Sequence, residues 1–364
     1  MPPAQMFLEH VRLTNFRNYE SLDVEPAPGL NVFVGPNAQG KSNVLEAIAM
    51  LATGKSFRAR REAELIRTGE SIARIGGDAR ISAGRVALHC TIDRSSGNTR
   101  KHFDVNGAAV GFARFLGRAR VVTFVPADLA LVSGGPALRR AFLNVALAQS
   151  SPAYYRDLAR CARITGHKAA LLRGAIAPDR ELLFAYNDEL AGPARAIVAA
   201  RTDFVAELAR AVAGVYDRWA VTRERIAIRY APSTGDVDIA AALAANVEHE
   251  VRRRQTLVGP HRDDVRLELE GQPLAAFGSQ GQQRTAVLAL KVAEYEVMRA
   301  RAGDAPILLL DDVLSELDAQ RAQGFLSAVG SFEQAFLTTT ELPAGHAFGH
   351  AFAIWNGTIR ALAC

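Results

Sequence analysis

The segment Phe7-Leu8-Glu9-His10-Val11-Arg12-Leu13 alternates apolar and polar side chains, the period-two pattern of a half-exposed strand. Leu30-Asn31-Val32-Phe33-Val34 reads as a buried strand entering a Gly-rich turn, and from Lys41 the apolar positions Val44, Leu45, Ile48 and Leu51 fall at helical spacing. The runs Val86 to Ile92 and Phe103 to Gly107 predict a meander beside this strand–loop–helix unit. A first boundary is expected near Val125-Pro126. From Asp128 to about Val251 the pattern turns helical, with Ala-rich stretches such as Leu190 to Tyr216 and no sustained heptads. Half of that insertion in each of two arms would reach less than ~100 Å. A strand returns at Val265-Arg266-Leu267-Glu268-Leu269, then a helix from Gln283 to Arg301 and a buried strand Ile307-Leu308-Leu309-Leu310. The predicted organisation is a core built from residues 1–125 and 252–364, interrupted by a mainly helical inserted domain at 126–251.

Composition narrows the class. No apolar stretch approaches the ~18 residues that span a bilayer, and Met1-Pro2-Pro3-Ala4-Gln5 lacks the basic start and apolar run of a signal peptide, so a cytoplasmic protein is expected. Cys90, Cys161 and Cys364 are odd in number and widely spaced, which predicts reduced, buried thiols rather than disulfides or zinc ligation. The formal charge of +5 permits a nucleic-acid partner. Arg and Ala enrichment also follows from genomic base composition, so the placement of the basic residues must carry that argument.

The Gly-rich turn supplies the first chemistry. Gly35-Pro36-Asn37-Ala38-Gln39-Gly40-Lys41-Ser42 matches GxxxxGK[ST] in full, between a strand and a helix. In this context backbone N–H groups and the helix N-terminus close around phosphates, Lys41 reaches the β/γ oxygens of ATP, and Ser42 can ligate Mg²⁺. The strand ending in Asp311-Asp312 has Walker B form: Asp311 would hold Mg²⁺ through water, and Asp312 stands where a Glu usually positions the attacking water. Lys41, Asp311 and Asp312 are the candidate catalytic groups. Some 270 residues separate Lys41 from Asp311, too many for a simple Ras-like domain.

Between them, Phe277-Gly278-Ser279-Gln280-Gly281-Gln282-Gln283-Arg284 precedes a long helix and resembles the ABC signature. Ser279, Gln280, Gly281 and Gln282 would present donors to a γ-phosphate, while the plainer reading is a polar helix cap. Ser315-Glu316-Leu317-Asp318 resembles the ABC D-loop. In that family the signature of one subunit faces the P-loop of another, which implies an ATP-dependent homodimer.

Further blocks narrow the likeness. Asn15-Phe16-Arg17-Asn18-Tyr19, the phosphate loop, Thr53-Gly54-Lys55-Ser56-Phe57-Arg58, Phe124-Val125-Pro126-Ala127-Asp128-Leu129 with Arg139-Arg140, and Gly259-Pro260-His261-Arg262-Asp263-Asp264 occur in an order that resembles the RecF family over nearly the whole chain. The fold so implied is α/β, an ABC/SMC-type P-loop ATPase head with a mainly helical insertion. The implied function is ATP-dependent binding to gapped DNA or single-strand–double-strand junctions, with RecR as partner and RecO and RecA in the same pathway, in recombinational repair and the SOS response. Asn144 departs from the expected Asp, and Thr338-Thr339-Thr340 stands where ABC transporters carry a switch His. With Asp312 in place of Glu, slow hydrolysis is expected.

The remaining signals are weaker. His261-Arg262-Asp263 mimics a kinase HRD, but the Asn and DFG that a kinase needs are missing, leaving a turn or a face of the nucleotide site. Arg58, Arg60, Arg61, Arg139 and Arg140 are candidate DNA contacts, with Arg252-Arg253-Arg254 a further cluster; each competes with a solvated-face reading. Trp219 and Trp355 are read as core rather than base-stacking positions. The alternatives are a transporter cassette, which the insertion and the missing His oppose, and a scaffold that binds ATP without turning it over.

Overall fold

The computed structural model describes residues 6–174, 178–219, 224–316, 319–329, 332–342 and 348–362, without the side chains of 219, 316, 319–321 and 327–328. Met1-Pro2-Pro3-Ala4-Gln5, Cys364, the Trp219 side chain, and Leu317-Asp318 of the tetrad resembling the D-loop lie outside it. Contacts divide the chain into two compact units, Met1–Asp128 with Val287–Cys364 and Leu129–Ala286. Residues 252–286, expected in the core, make their contacts within the second unit, because strand Asp264–Leu269 pairs there.

Among the described residues, the first unit holds two six-stranded sheets. In one, Gly29–Val34 lies between Gln334–Thr339 and His350–Trp355, and Ile307–Asp311 lies between Gln334–Thr339 and Val121–Phe124, all parallel. Strand Thr358–Leu362 closes that sheet antiparallel to His350–Trp355. Ile307–Asp311 is buried at every position, as a central parallel strand covered on both faces must be, which is why it reads as an unbroken apolar run. The other sheet is an antiparallel meander built on Phe7–Phe16, Tyr19–Val24, Ile72–Ile81 and Gly84–Asp93.

Helix Lys41–Thr53 is buried over most of its circumference and shares one apolar cluster with both sheets: Leu45, Ile48 and Leu51 join Leu13, Ile75 and Leu88 from the meander and Ile307, Leu309 and Phe336 from the parallel sheet. Each such side chain contributes roughly 1.5–3 kcal/mol by leaving water. Gln334 laces the sheets together: its buried amide accepts from Leu8 N–H at 2.8 Å and donates to Leu8 C=O at 3.0 Å. The phosphate loop is thereby mounted at the end of a strand and the start of a helix that have little freedom to shift.

The second unit is helical, with Pro136–Ser150, Pro152–Arg173 and the 40-residue Arg180–Trp219. It also contains an unexpected strand, Ile226–Ala231, paired antiparallel to Asp264–Leu269. Ile226 and Ile228 face inward in strict alternation, a pattern hidden in the sequence by its shortness beside a long Ala-rich helix. Cys90 and Cys161 are buried and free.

Candidate nucleotide site

Two glycines shape the loop. A Cβ at Gly35 would sit 2.3 Å from the carbonyl oxygen of Ile354, and one at Gly40, whose φ is +114°, would meet Asn18 at 2.7 Å and the Tyr19 hydroxyl at 2.9 Å. Side chains at these positions would push the loop off its neighbours. Asn18 Nδ2 donates to Gln39 C=O at 3.0 Å and Tyr19 Oη to Gly40 C=O at 3.0 Å, so the first hairpin of the meander braces the loop.

The helix that follows has no side-chain cap at Gly40 and no acidic residue in its first turn. Its leading N–H groups and the positive end of its dipole suit an anion. Lys41 Nζ donates to the carbonyls of Gly35 and Pro36 at 2.6 and 2.8 Å. Burial pushes its pKa below the ordinary value, and the charges of Asp312 and Asp311 oppose that push. Lys41, Ser42, Asn43, Arg58, Asp312 and Thr338 line a cleft of about 170 Å³. That is less than the roughly 300–1,000 Å³ of pockets enclosing a drug-sized ligand, so the cleft suits phosphates and leaves a nucleoside against the outer surface.

Across the cleft, Thr338 Oγ1 donates to Asp311 Oδ1 at 2.9 Å and accepts from Asp312 N–H at 2.9 Å. Asp312 adopts φ +52°, a left-handed conformation costing a non-glycine residue on the order of 1 kcal/mol or more, and the Thr338 hydroxyl helps hold it there. Ser315 Oγ donates to Asp312 C=O at 2.7 Å. An uncapped helix, an ammonium, a hydroxyl and paired carboxylates form the donor set that a magnesium–triphosphate requires.

Glu46 was not singled out from the sequence, although it lies one helical turn beyond the loop. Its carboxylate is fully buried and receives a forked pair from Arg17 at 2.7 and 2.8 Å, a bond from Ser56 Oγ, and Arg58 at 3.1 Å. Burial raises its pKa, but the bonds from Arg17 and Ser56 and the charges of Arg17 and Arg58 outweigh it and hold the group below the usual carboxylate range. Arg58 also donates to Asn43 Oδ1. Glu46 therefore ties Arg17-Asn18 and the Ser56-Phe57-Arg58 segment to the loop, and Arg58 lines the phosphate cleft rather than a separate basic face. An acid four residues beyond the loop's closing Lys-Ser, with two Arg-bearing blocks elsewhere, was the available signal.

In the second unit, Ser279 and Gln282 form a capping box at the start of helix Gln280–Ala302: Gln282 N–H donates to Ser279 Oγ at 3.2 Å and Ser279 N–H to Gln282 Oε1 at 2.6 Å. In the cap Ser279 Oγ serves as an acceptor, which leaves the hydroxyl proton for an outside acceptor. Ser279 and Gln280 are exposed and Gly281 is half-buried. Gln282 Nε2 is anchored to Glu224 at 2.7 Å.

The candidate DNA contacts separate. Arg60 and Arg61 are exposed, as are Arg252, Arg253 and Arg254. Arg139 is only 12% exposed and forks onto Asp264 at 2.7 and 3.0 Å, and Arg140 donates to Asp263 C=O at 2.7 Å, so both are committed within the fold rather than offered to a polyanion. Asp263 is buried against Arg201 at 3.2 Å and accepts from Tyr230 Oη and Ser233 N–H, which excludes a kinase-type base and makes the 259–264 segment a locked turn. Asn144 Oδ1 joins the same network through Arg201 and Tyr154. Burial lowers His261 to about 4. Trp355, expected in the core, is 64% exposed.

Comparison with known proteins agrees with this architecture. The RecF/RecN/SMC N terminal domain family model matches residues 7–343. The chain is 39% identical to the DNA replication and repair protein RecF of Geobacillus thermodenitrificans over 93% of each chain, and 39% identical to that of Symbiobacterium thermophilum over 97% of this chain and 98% of the relative. A solved structure of the recombination mediator protein RecF-ATP in the RecFOR pathway superposes with TM-score 0.90 at 30% identity, over 99% of this chain and 98% of the other. An SMC head bound to the C-winged helix domain of ScpA, at 14% identity and TM-score 0.57, shares the fold. An ABC/SMC-type α/β head carrying these blocks in this order belongs to the RecF family of DNA replication and repair proteins.

Proposed function

We propose that this protein is an ATP-dependent DNA-binding factor of recombinational repair and replication restart in the cytoplasm. It engages gapped DNA and single-strand–double-strand junctions and, with RecO and RecR, promotes RecA loading and so contributes to the SOS response. The observation that carries its ATP dependence is the pairing of an uncapped, acid-free helix N-terminus at Lys41-Ser42 with the Asp311–Thr338 bridge across one cleft, and the role in repair is supported by its RecF relatives. Backbone N–H groups from Asn37 through Ser42 wrap the phosphates, Lys41 exchanges its loop carbonyls for phosphate oxygens, and Asp312 orients the attacking water. Ser42 and Asp311 would hold Mg²⁺, which neutralises charge building up on the phosphates.

Ser279, Gln280, Gly281 and Gln282 serve the nucleotide of a second copy, so that ATP drives homodimerisation on DNA and slow hydrolysis resets it. The free hydroxyl proton of Ser279 and its exposed helix start support that role. Among the described residues no helix is long and apolar enough to cross a membrane. The test is sedimentation with and without ATP and gapped DNA, together with a turnover measurement. Dimerisation that needs ATP and turnover below ~1 per second are expected; a nucleotide-indifferent monomer or fast turnover would refute the timing role.

A further inference from the structure

The hairpin after His350–Trp355 turns through Asn356 and Gly357, both at positive φ (+47° and +72°), the conformation that Asn-Gly adopts most readily in a two-residue turn. Its tip is fastened to the phosphate loop. Asn356 N–H donates to Gln39 Oε1 at 2.8 Å and Gly357 N–H to Gln39 C=O at 3.2 Å, while the Ile354 carbonyl lies against Gly35. A Cβ at Gly357 would meet the Asn18 carbonyl at 2.6 Å, so the hairpin is also packed on the turn that braces Gly40.

Strand alternation sends Ile354 and Phe352 into the core and Trp355 the other way. The result is a large aromatic face, 64% in water, on a tip positioned by the same loop that receives phosphates. Leaving an indole in solvent forgoes substantial apolar burial, and this one immediately precedes Asn356, whose N–H is bonded to Gln39 of the phosphate loop. The phosphate cleft, at about 170 Å³, leaves the nucleoside outside. A purine has the flat π-face that an indole binds best, and the tether between phosphates and base is short.

We propose that Trp355 is the base platform of the nucleotide site, stacking on adenine while Gln39 couples the hairpin to the phosphate loop. This rests on the phosphate-loop reading above. The platform gives affinity for a nucleoside di- or triphosphate over inorganic polyphosphate, and it places binding energy on a hairpin remote in sequence from the loop.

The test uses the full chain carrying Trp219→Phe, so that Trp355 is its one tryptophan. ATP and ADP should both quench its fluorescence, while tripolyphosphate, which lacks a base, should bind without quenching. Trp355→Ala should weaken ATP binding about tenfold and leave tripolyphosphate binding unchanged, which also certifies the fold; Trp355→Phe should recover most of the affinity. Unchanged ATP affinity in Trp355→Ala would overturn the platform, and the same result with weakened DNA binding would reassign the indole to DNA. Failure of the parent to bind ATP and tripolyphosphate alike would sink the phosphate-loop reading and this one with it.

Discussion

The Thr338 hydroxyl donates to the Asp311 carboxylate across 2.9 Å. Its oxygen also accepts the Asp312 N–H, so one buried side chain orients the proposed metal ligand and pins the strained residue beside it. Replacing Thr338 by Val keeps the shape and removes both bonds. Since hydrogen bonds to charged groups contribute ~1.5–3 kcal/mol, turnover should fall about tenfold or more, with ATP affinity within about threefold. Single-turnover kinetics would check this, and an unaltered rate would leave Thr338 a packing residue.

Lys41 and Asp311 should separate binding from chemistry. Lys41→Ala removes a charge-assisted phosphate contact of ~1.5–3 kcal/mol and should weaken ATP binding at least about tenfold by calorimetry. Asp311→Asn should spare much of the binding and abolish turnover; retained hydrolysis would displace Asp311 from its role.

Ser279→Arg places a long cation at an exposed helix start. ATP binding by the monomer should persist while nucleotide-driven dimerisation disappears in sedimentation. A variant that still dimerises with ATP would show that the signature does not act across two copies.

His261 offers a pH signature. Burial lowers its pKa from 6.5 to about 4, so the folded protein resists a proton that the unfolded chain accepts. Stability from this residue is complete above pH 6.5, declines as pH falls, and is fully gone below about 4. Between pH 7.5 and 5 the decline should be on the order of 2 kcal/mol. Urea unfolding of the parent and of His261→Asn should show the variant with a shallower pH dependence; parallel curves would contradict the assignment.

The arginines should divide by commitment. Arg60→Ala with Arg61→Ala should weaken DNA binding and lower the salt slope by roughly one for each phosphate no longer neutralised, with little effect on melting. Arg139→Ala should instead destabilise the fold by ~1.5–3 kcal/mol, because Asp264 is deprived of its forked partner. Melting curves and salt titrations on the same variants decide between the two.

The local elements were legible in advance. The strand into the phosphate loop, helix Lys41–Thr53 and strand Ile307–Asp311 all announced themselves, because apolar periodicity and the GxxxxGK[ST] spacing are properties of neighbouring residues. Strand Ile226–Ala231 did not, since its order comes from pairing with Asp264–Leu269. Glu46 escaped notice for a related reason: a buried acid inside an apolar helix has meaning only once Arg17, Ser56 and Arg58 converge on it.

The sequence by itself determined the phosphate loop, the acidic strand end and the family's order of blocks, since each is written in short-range spacing. Only the tertiary structure decided which charges are free: Arg139 and Asp264 lie 125 positions apart yet neutralise each other, while Arg60 and Arg61 stay in solvent. It likewise turned Trp355 outward, next to the Asn356 that is bonded to Gln39. Charge pairing and exposure depend on distance through space, which chain order does not encode locally.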